Sequence, residues 1–154
     1  METICWSNCK SYRESEYVIV GLNDESHSHA KRKGTSSAPD RIRKISNERD
    51  TYIENNQESL AYTNSGKPRS KIFDLGNISR ENMPFVYERI FNEGKIPITI
   101  GGDHSLTAEI IKELGKKRGP ISLVYFDAHP DFLSSTRNFY GSVVYDCLPY
   151  INPK

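Results

Sequence analysis

The feature that most restricts the fold of this chain is an alternation. Four short apolar runs, EYVIVGL (16–22), KIFDLGNIS (71–79), KIPITIGG (95–102) and PISLVYFDAH (120–129), are separated by polar or amphipathic stretches. The runs are continuous rather than apolar at every second position, the pattern of strands covered on both faces. Between them lie three segments of helical character. APDRIRKIS (38–46) opens on Pro39 and Asp40 and carries Ile42 and Ile45. NMPFVYERIFNEG (82–94) offers Asn82 as cap, Pro84 in its first turn, Val86 and Ile90 on one face, and Gly94 as a stop. SLTAEIIKELG (105–115) places Leu106, Ile110 and Leu114 on one stripe between Ser105 as cap and Gly115. Residues 23–37 and 47–71 are polar and poorly periodic and read as loops. Strand, helix, strand, helix, strand predicts an α/β fold with a parallel sheet and right-handed crossovers.

Composition sets limits on function. A length of 154 residues fits one domain, yet 36% hydrophobic residues and a mean hydropathy of −0.65 imply a thin core. Either part of the chain is polar insert or part of the fold is missing. A formal charge of +1 argues against nucleic acid as partner, and HAKRKG (29–34) reads as a solvated loop. Cys5, Cys9 and Cys147 have no framework spacing, which fits a reducing setting, and Cys5 and Cys9 lack a second ligand pair for zinc. No leader is read at the N-terminus. No stretch approaches the ~20 apolar residues of a membrane span. A soluble, cytoplasmic protein is expected.

The chemistry gathers in two phrases. ITIGGDHSLT (98–107) and LVYFDAHPDF (123–132) each end an apolar run in histidines and carboxylates. In a parallel sheet all strand C-termini open on one edge, where ligands bind. One crossover separates the two strands, so they are expected to be neighbours or near neighbours. His104 then faces the same volume as Asp127, His129 and Asp131. Those three alternate and share one face of a strand. A straight strand would hold Asp127 and Asp131 ~13 Å apart, so Pro130 is expected to break it and curl the ligands inward. Gly101 and Gly102 allow a tight turn before Asp103. Two imidazoles with two or three carboxylates and no thiolate suit manganese or another divalent ion better than a closed structural zinc site.

With these residues the sequence resembles the arginase, agmatinase and formimidoylglutamase family, the ureohydrolases. GGDHS (101–105) and DAHPD (127–131) have the form of that family's first two metal motifs. GTSSAPDRIR (34–43) is similar to its GP-x-x-IR segment, and FDLGN (73–77) to its DLGD. The match spans residues 17–147, with 1–16 left as an N-terminal tail. The resemblance implies a three-layer α/β/α fold with a mainly parallel sheet and two Mn²⁺ ions at the strand ends. It implies that His104 and Asp131 hold mainly one ion, that His129 holds the other, that Asp127 bridges them, and that Asp103 orients His104. Asp127 and His129 would thereby be catalytic. A metal-bridging hydroxide would cleave the C–N bond of a guanidino or formimino compound such as agmatine or arginine.

Two departures qualify that reading. The family's third motif resembles S-x-D-x-D-x-x-D-P, and this chain holds no Asp-x-Asp. It stops at LPYINPK, where the second half of such a fold would begin, so residues 1–154 read as one incomplete domain of that type. RNFYGS (137–142) carries Tyr140 where members often have a histidine, leaving Asn138 and Tyr140 as candidates to line the substrate site. The alternative to a Mn²⁺-dependent amidinohydrolase is a shortened member that binds metal or a partner chain without turnover. A zinc deacetylase of similar fold fits the motifs poorly. An uncovered sheet edge is expected to drive homo-oligomer formation.

Overall fold

The computed structural model describes residues 2–56 and 70–152. Three parallel strands, β1 (Tyr17–Leu22), β2 (Ile72–Ile78) and β3 (Ile96–Ile100), form a sheet in the order β2-β1-β3. Helix α1 (Ala38–Asn56) links β1 to β2, and α2 (Met83–Asn92) carries the chain across β1 to β3. Helix α3 (Ser105–Arg118) follows β3, and a short α4 (Val143–Cys147) closes the described chain.

Alternation along β1 assigns the layers. Val18, Val20 and Leu22 are buried against Met83, Tyr87, Ile90 and Phe91 of α2 and Leu106 of α3. The intervening Ile19 and Gly21 therefore point to the opposite face, where Gly21 lies against Pro39 and Arg43 of α1. The result is helix, sheet, helix. Thr99 of β3 meets the Tyr87 hydroxyl on the α2 side, and burial pushes that phenol up to about 12. Ile96 and Ile98 lie on the α1 side, in register with Tyr17 and Ile19. Both are exposed there. A second apolar cluster joins Ala108 of α3 to Val143 and Cys147 of α4.

The α1 layer is held by a buried ion pair. The Arg43 guanidinium donates through Nε to Asp74 Oδ2 at 2.9 Å and through Nη2 to Asp74 Oδ1 at 2.8 Å. Its Nη1 donates to Asn77. Asp74 and Asn77 can both face Arg43 because β2 is bulged between them. Ile19 pairs with Asp74 and Gly21 with Asn77, and Gly76 takes φ 85. Gly21 completes the arrangement: a Cβ there would fall 2.0 Å from Asn77 Oδ1 and 2.9 Å from Arg43 Nη1.

Two expectations need correction, the loop from residue 47 and the strand at 120–129. Residues 47–56 continue α1 instead of forming a loop, while 57–69 lie outside the described residues. The expected N-terminal tail docks on the start of β2. The Ile4 N–H donates to Asp74 Oδ2 at 2.9 Å, and Asn8 and Cys9 N–H groups donate to Ile72 O. The run 120–129 forms no strand beside β3. Its one ladder contact is an isolated parallel bridge from Ile121 to Ile151. The cause is an unmet pairing requirement: β3 bonds to β1 on one edge, and no described strand lies on the other. Val124 and Phe126 are consequently 76% and 95% exposed.

Burial alone would raise the Asp74 carboxyl, but the Arg43 hydrogen bonds and the Ile4 and Gly76 N–H donors outweigh it and hold it below the usual carboxylate range. Its contribution to stability is therefore complete above the unfolded value of ~3.9 and is lost as pH falls through the lower folded value. Asp74→Ala leaves Arg43 buried without its partner and should cost about 3–5 kcal/mol in urea unfolding at neutral pH. The difference from wild type should shrink as pH falls below ~4.

Candidate metal centre

The C-terminal end of β3 runs into Gly101 and Gly102. Gly102 is needed for close approach: a Cβ would lie 1.9 Å from Asp24 O, and the next residue, Asp103, donates its N–H to that carbonyl at 2.9 Å. The turn is thereby pinned to the loop after β1. Asp103 Oδ1 then accepts the Ser105 N–H at 2.8 Å, so Ser105, the expected cap, lies inside the helix as its first residue.

His104 occupies the N-cap position of α3, and its ring points at the second phrase. Nε2 lies 3.4 Å from Asp131 Oδ2 and 3.8 Å from Asp127 Oδ2. One donor atom from each of His104, Asp127 and Asp131 lies within 4.8 Å of the other two. The expected curl is present, and its hinge is Asp131 itself, a non-glycine residue at φ 41 whose carbonyl accepts the Val144 N–H at 2.9 Å. Asp127 is fixed by its neighbour: the His129 N–H donates to Oδ1 at 2.8 Å and holds the carboxyl below its ordinary range, against a smaller opposing effect of burial.

The other candidates fall elsewhere. His129 is 80% exposed at its side chain, and its Nδ1 lies 3.2 Å from Asp127 Oδ1 on the outside of the group. Asp103 makes no hydrogen bond to the His104 ring. That ring is held by Thr107 Oγ1 at Nδ1, 3.1 Å, and by the Tyr125 hydroxyl at Nε2, 2.9 Å. Asn138 (φ 57) donates its N–H to Asp146 Oδ2 and lines a separate cavity of about 350 Å³ with Lys112 and Arg137. Tyr140 packs edge-on against Phe139.

Sequence reasoning missed three residues. Tyr125 lies one step upstream in the alternation that joins 127, 129 and 131, a signal the pattern carried. Its hydroxyl donates to Asp131 Oδ2 at 2.6 Å. Burial, then the Asp131 hydrogen bond, pushes the phenol well above its ordinary value, so it remains a neutral donor. Thr107 lies one helical turn after His104, the spacing at which side chains meet. Arg80 had no sequence signal. Its guanidinium donates to Asp24 at 2.9 Å, to Ser105 Oγ at 2.9 Å and to Glu109, and meets His27 Nδ1 at 2.8 Å. Its Nη2 is also the cation beside Asp103 Oδ2, 3.9 Å away, a buried oxygen with no hydrogen-bond partner.

The arginase family model matches residues 15–154. The chain belongs to the arginase family. Among its relatives is the agmatinase of Bacillus anthracis, 30% identical over 132 residues, a match covering 81% of this chain and 43% of that one. The agmatine ureohydrolase of Thermoplasma volcanium superposes with a TM-score of 0.74 at 27% identity, covering 99% of this chain and 52% of its own. A Trypanosoma cruzi formiminoglutamase solved with Mn²⁺ shares the fold at 17% identity, with a TM-score of 0.68 over 93% of this chain and 50% of that one. The chain thus spans about half the length of these arginase-family relatives. No helix among its described residues is long and apolar enough to cross a membrane.

Arg80→Ala would strip the loop after β1, the Asp103 turn and α3 of a shared donor. The expected loss is about 2 kcal/mol in urea denaturation, with amide signals of residues 101–105 shifting more than those of α1.

Proposed function

We propose that this chain carries a divalent-cation site of a ureohydrolase, with Mn²⁺ as the cation and a guanidino or formimino compound as the substrate. The observation that supports it best is the convergence of one imidazole nitrogen and two carboxylate oxygens, from two remote segments, within 4.8 Å of one another. Carboxylates with imidazole and no thiolate are a hard to borderline donor set, which Mn²⁺ suits. In this reading His104, Asp127 and Asp131 hold the ion, and His129 joins by rotating an exposed side chain. When bound, the cation supplies Lewis acidity and a water acidified enough to attack near neutrality.

The chain's own residues prepare that chemistry. Thr107 fixes the His104 ring from behind. The His129 N–H keeps Asp127 ionised and oriented. A site with only two carboxylates, with or without His129, favours one ion over two, because a second would need further carboxylates to offset cation repulsion. A chain that binds metal without turnover is therefore a second reading, favoured by that donor count among the described residues. Exposed Ile96, Ile98, Val124 and Phe126 support self-association in either case.

Elemental analysis of the purified protein should find about one Mn²⁺ per chain. His104→Ala and Asp127→Ala should each lower that content at least tenfold at micromolar free metal, with no loss of solubility. Retention of the wild-type content by both variants rejects the site. Urea release from agmatine, arginine or a guanidino acid by the Mn²⁺-loaded wild type supports the hydrolase. Loading without release supports the second reading.

A further inference from the structure

The geometry points to Tyr125 as a gate on the metal centre, a phenol whose hydroxyl engages two of the atoms a cation would need and so competes with it for His104 and Asp131. This inference rests on the metal reading above. Its basis is the identity of the atoms involved. The Tyr125 hydroxyl is 2.9 Å from His104 Nε2 and 2.6 Å from Asp131 Oδ2. Those two atoms are 3.4 Å apart, and both residues belong to the donor group. A cation bound by that group needs the Nε2 lone pair and the Oδ2 lone pair, and the phenol engages both atoms.

The direction of the hydrogen bonds makes the competition specific. A phenol has one proton, and here it donates that proton to Asp131 Oδ2. Its contact with His104 is then one in which the hydroxyl oxygen accepts, so Nε2 carries a hydrogen and Nδ1 accepts from Thr107. In that tautomer the nitrogen that faces the carboxylates has no lone pair to give a metal. Cation binding requires the tautomer in which Nδ1–H donates to Thr107 Oγ1, the outer partner of a ligating imidazole. Thr107 can serve both forms because a hydroxyl both donates and accepts. The imidazole and phenol rings lie nearly parallel, 13° apart with centroids at 5.8 Å. The flank that must yield is the irregular segment 122–130, which pairs with no strand.

Tyr125 accordingly does two opposed things. It ties two ligands together, and it would have to let go for a cation to bind them. Removing only its hydroxyl separates the two effects. Tyr125→Phe should lower the melting temperature of the metal-free chain, because the bridge between α3 and the segment 122–130 is lost. It should also tighten Mn²⁺ binding by about tenfold, the order expected when a hydrogen bond to a charged group no longer has to be broken. Isothermal titration calorimetry with MnCl₂ on the 154-residue chain, with circular dichroism melts of both proteins, reads both quantities. Tyr125→Trp, which keeps an aromatic ring without the hydroxyl, repeats the measurement if the Phe variant does not fold. Tighter binding with a lower metal-free melting temperature supports the gate. Equal or weaker binding by a folded variant overturns it and leaves the metal site standing. Absence of Mn²⁺ binding by wild type and variants alike overturns the metal site, and the gate with it.

Discussion

The structure depends first on the pairing of Arg43 with Asp74. Both side chains are essentially inaccessible, at 1% and 0% exposure, and neither charge could be held there alone. The pair forces several features that otherwise look unrelated. Gly76 adopts a left-handed conformation so that β2 can bulge, Gly21 keeps β1 bare where Asn77 approaches, and the Ile4 N–H turns in to saturate Asp74. An apolar substitute of equal volume could match such a pair in stability. What it could not supply is directionality. A one-residue slip of β2 would turn Asp74 to the other face of the sheet, so the pair fixes the register of the sheet whose C-terminal end carries the site.

The elements that could be read from the sequence are those whose stability is local. Strands β1, β2 and β3 have continuous apolar runs, and α2 and α3 have an apolar stripe and stop signals. Their boundaries moved for identifiable reasons. Helix α3 runs past Gly115 to Arg118 because Gly119, at φ 76, supplies the left-handed stop. Helix α1 extends to Asn56 through residues that show no apolar stripe, so periodicity gave no sign of it. The run 120–129 failed as a strand for the opposite reason. Apolar patterning reports that side chains prefer burial, but a strand also needs a neighbour's backbone. Phe126, at 95% exposure, shows the preference unmet.

The site divides in the same way. His104, Asp127 and Asp131 were legible because few structural roles require those residue types at strand ends in that spacing, and the structure does bring them together. Asp103 was expected to orient His104, and its Oδ1 accepts the Ser105 N–H at the start of α3. A carboxylate just before a helix serves either role, and spacing cannot distinguish them. Arg80 was invisible because its importance lies in where it converges. A single guanidinium satisfies groups from the loop after β1, the turn after β3 and α3, and no one-dimensional pattern encodes a meeting of three segments.

One electrostatic tension bears on the proposed cation site. His104 stands at the N-terminus of α3, where backbone N–H groups give a partial positive charge. That end of a helix attracts anions and by itself repels a cation. Asp103 satisfies part of it through the Ser105 N–H, and Lys116, Lys117 and Arg118 complement the helix's other end. An ion beside His104 therefore needs negative charge from outside the helix, and only Asp127 and Asp131 stand close enough in the described structure to provide it. Those carboxylates stand on a segment without ladder partners and are oriented by Tyr125 and the His129 N–H. In the proposed site the imidazole would set where an ion sits, and the two carboxylates would set whether it is held.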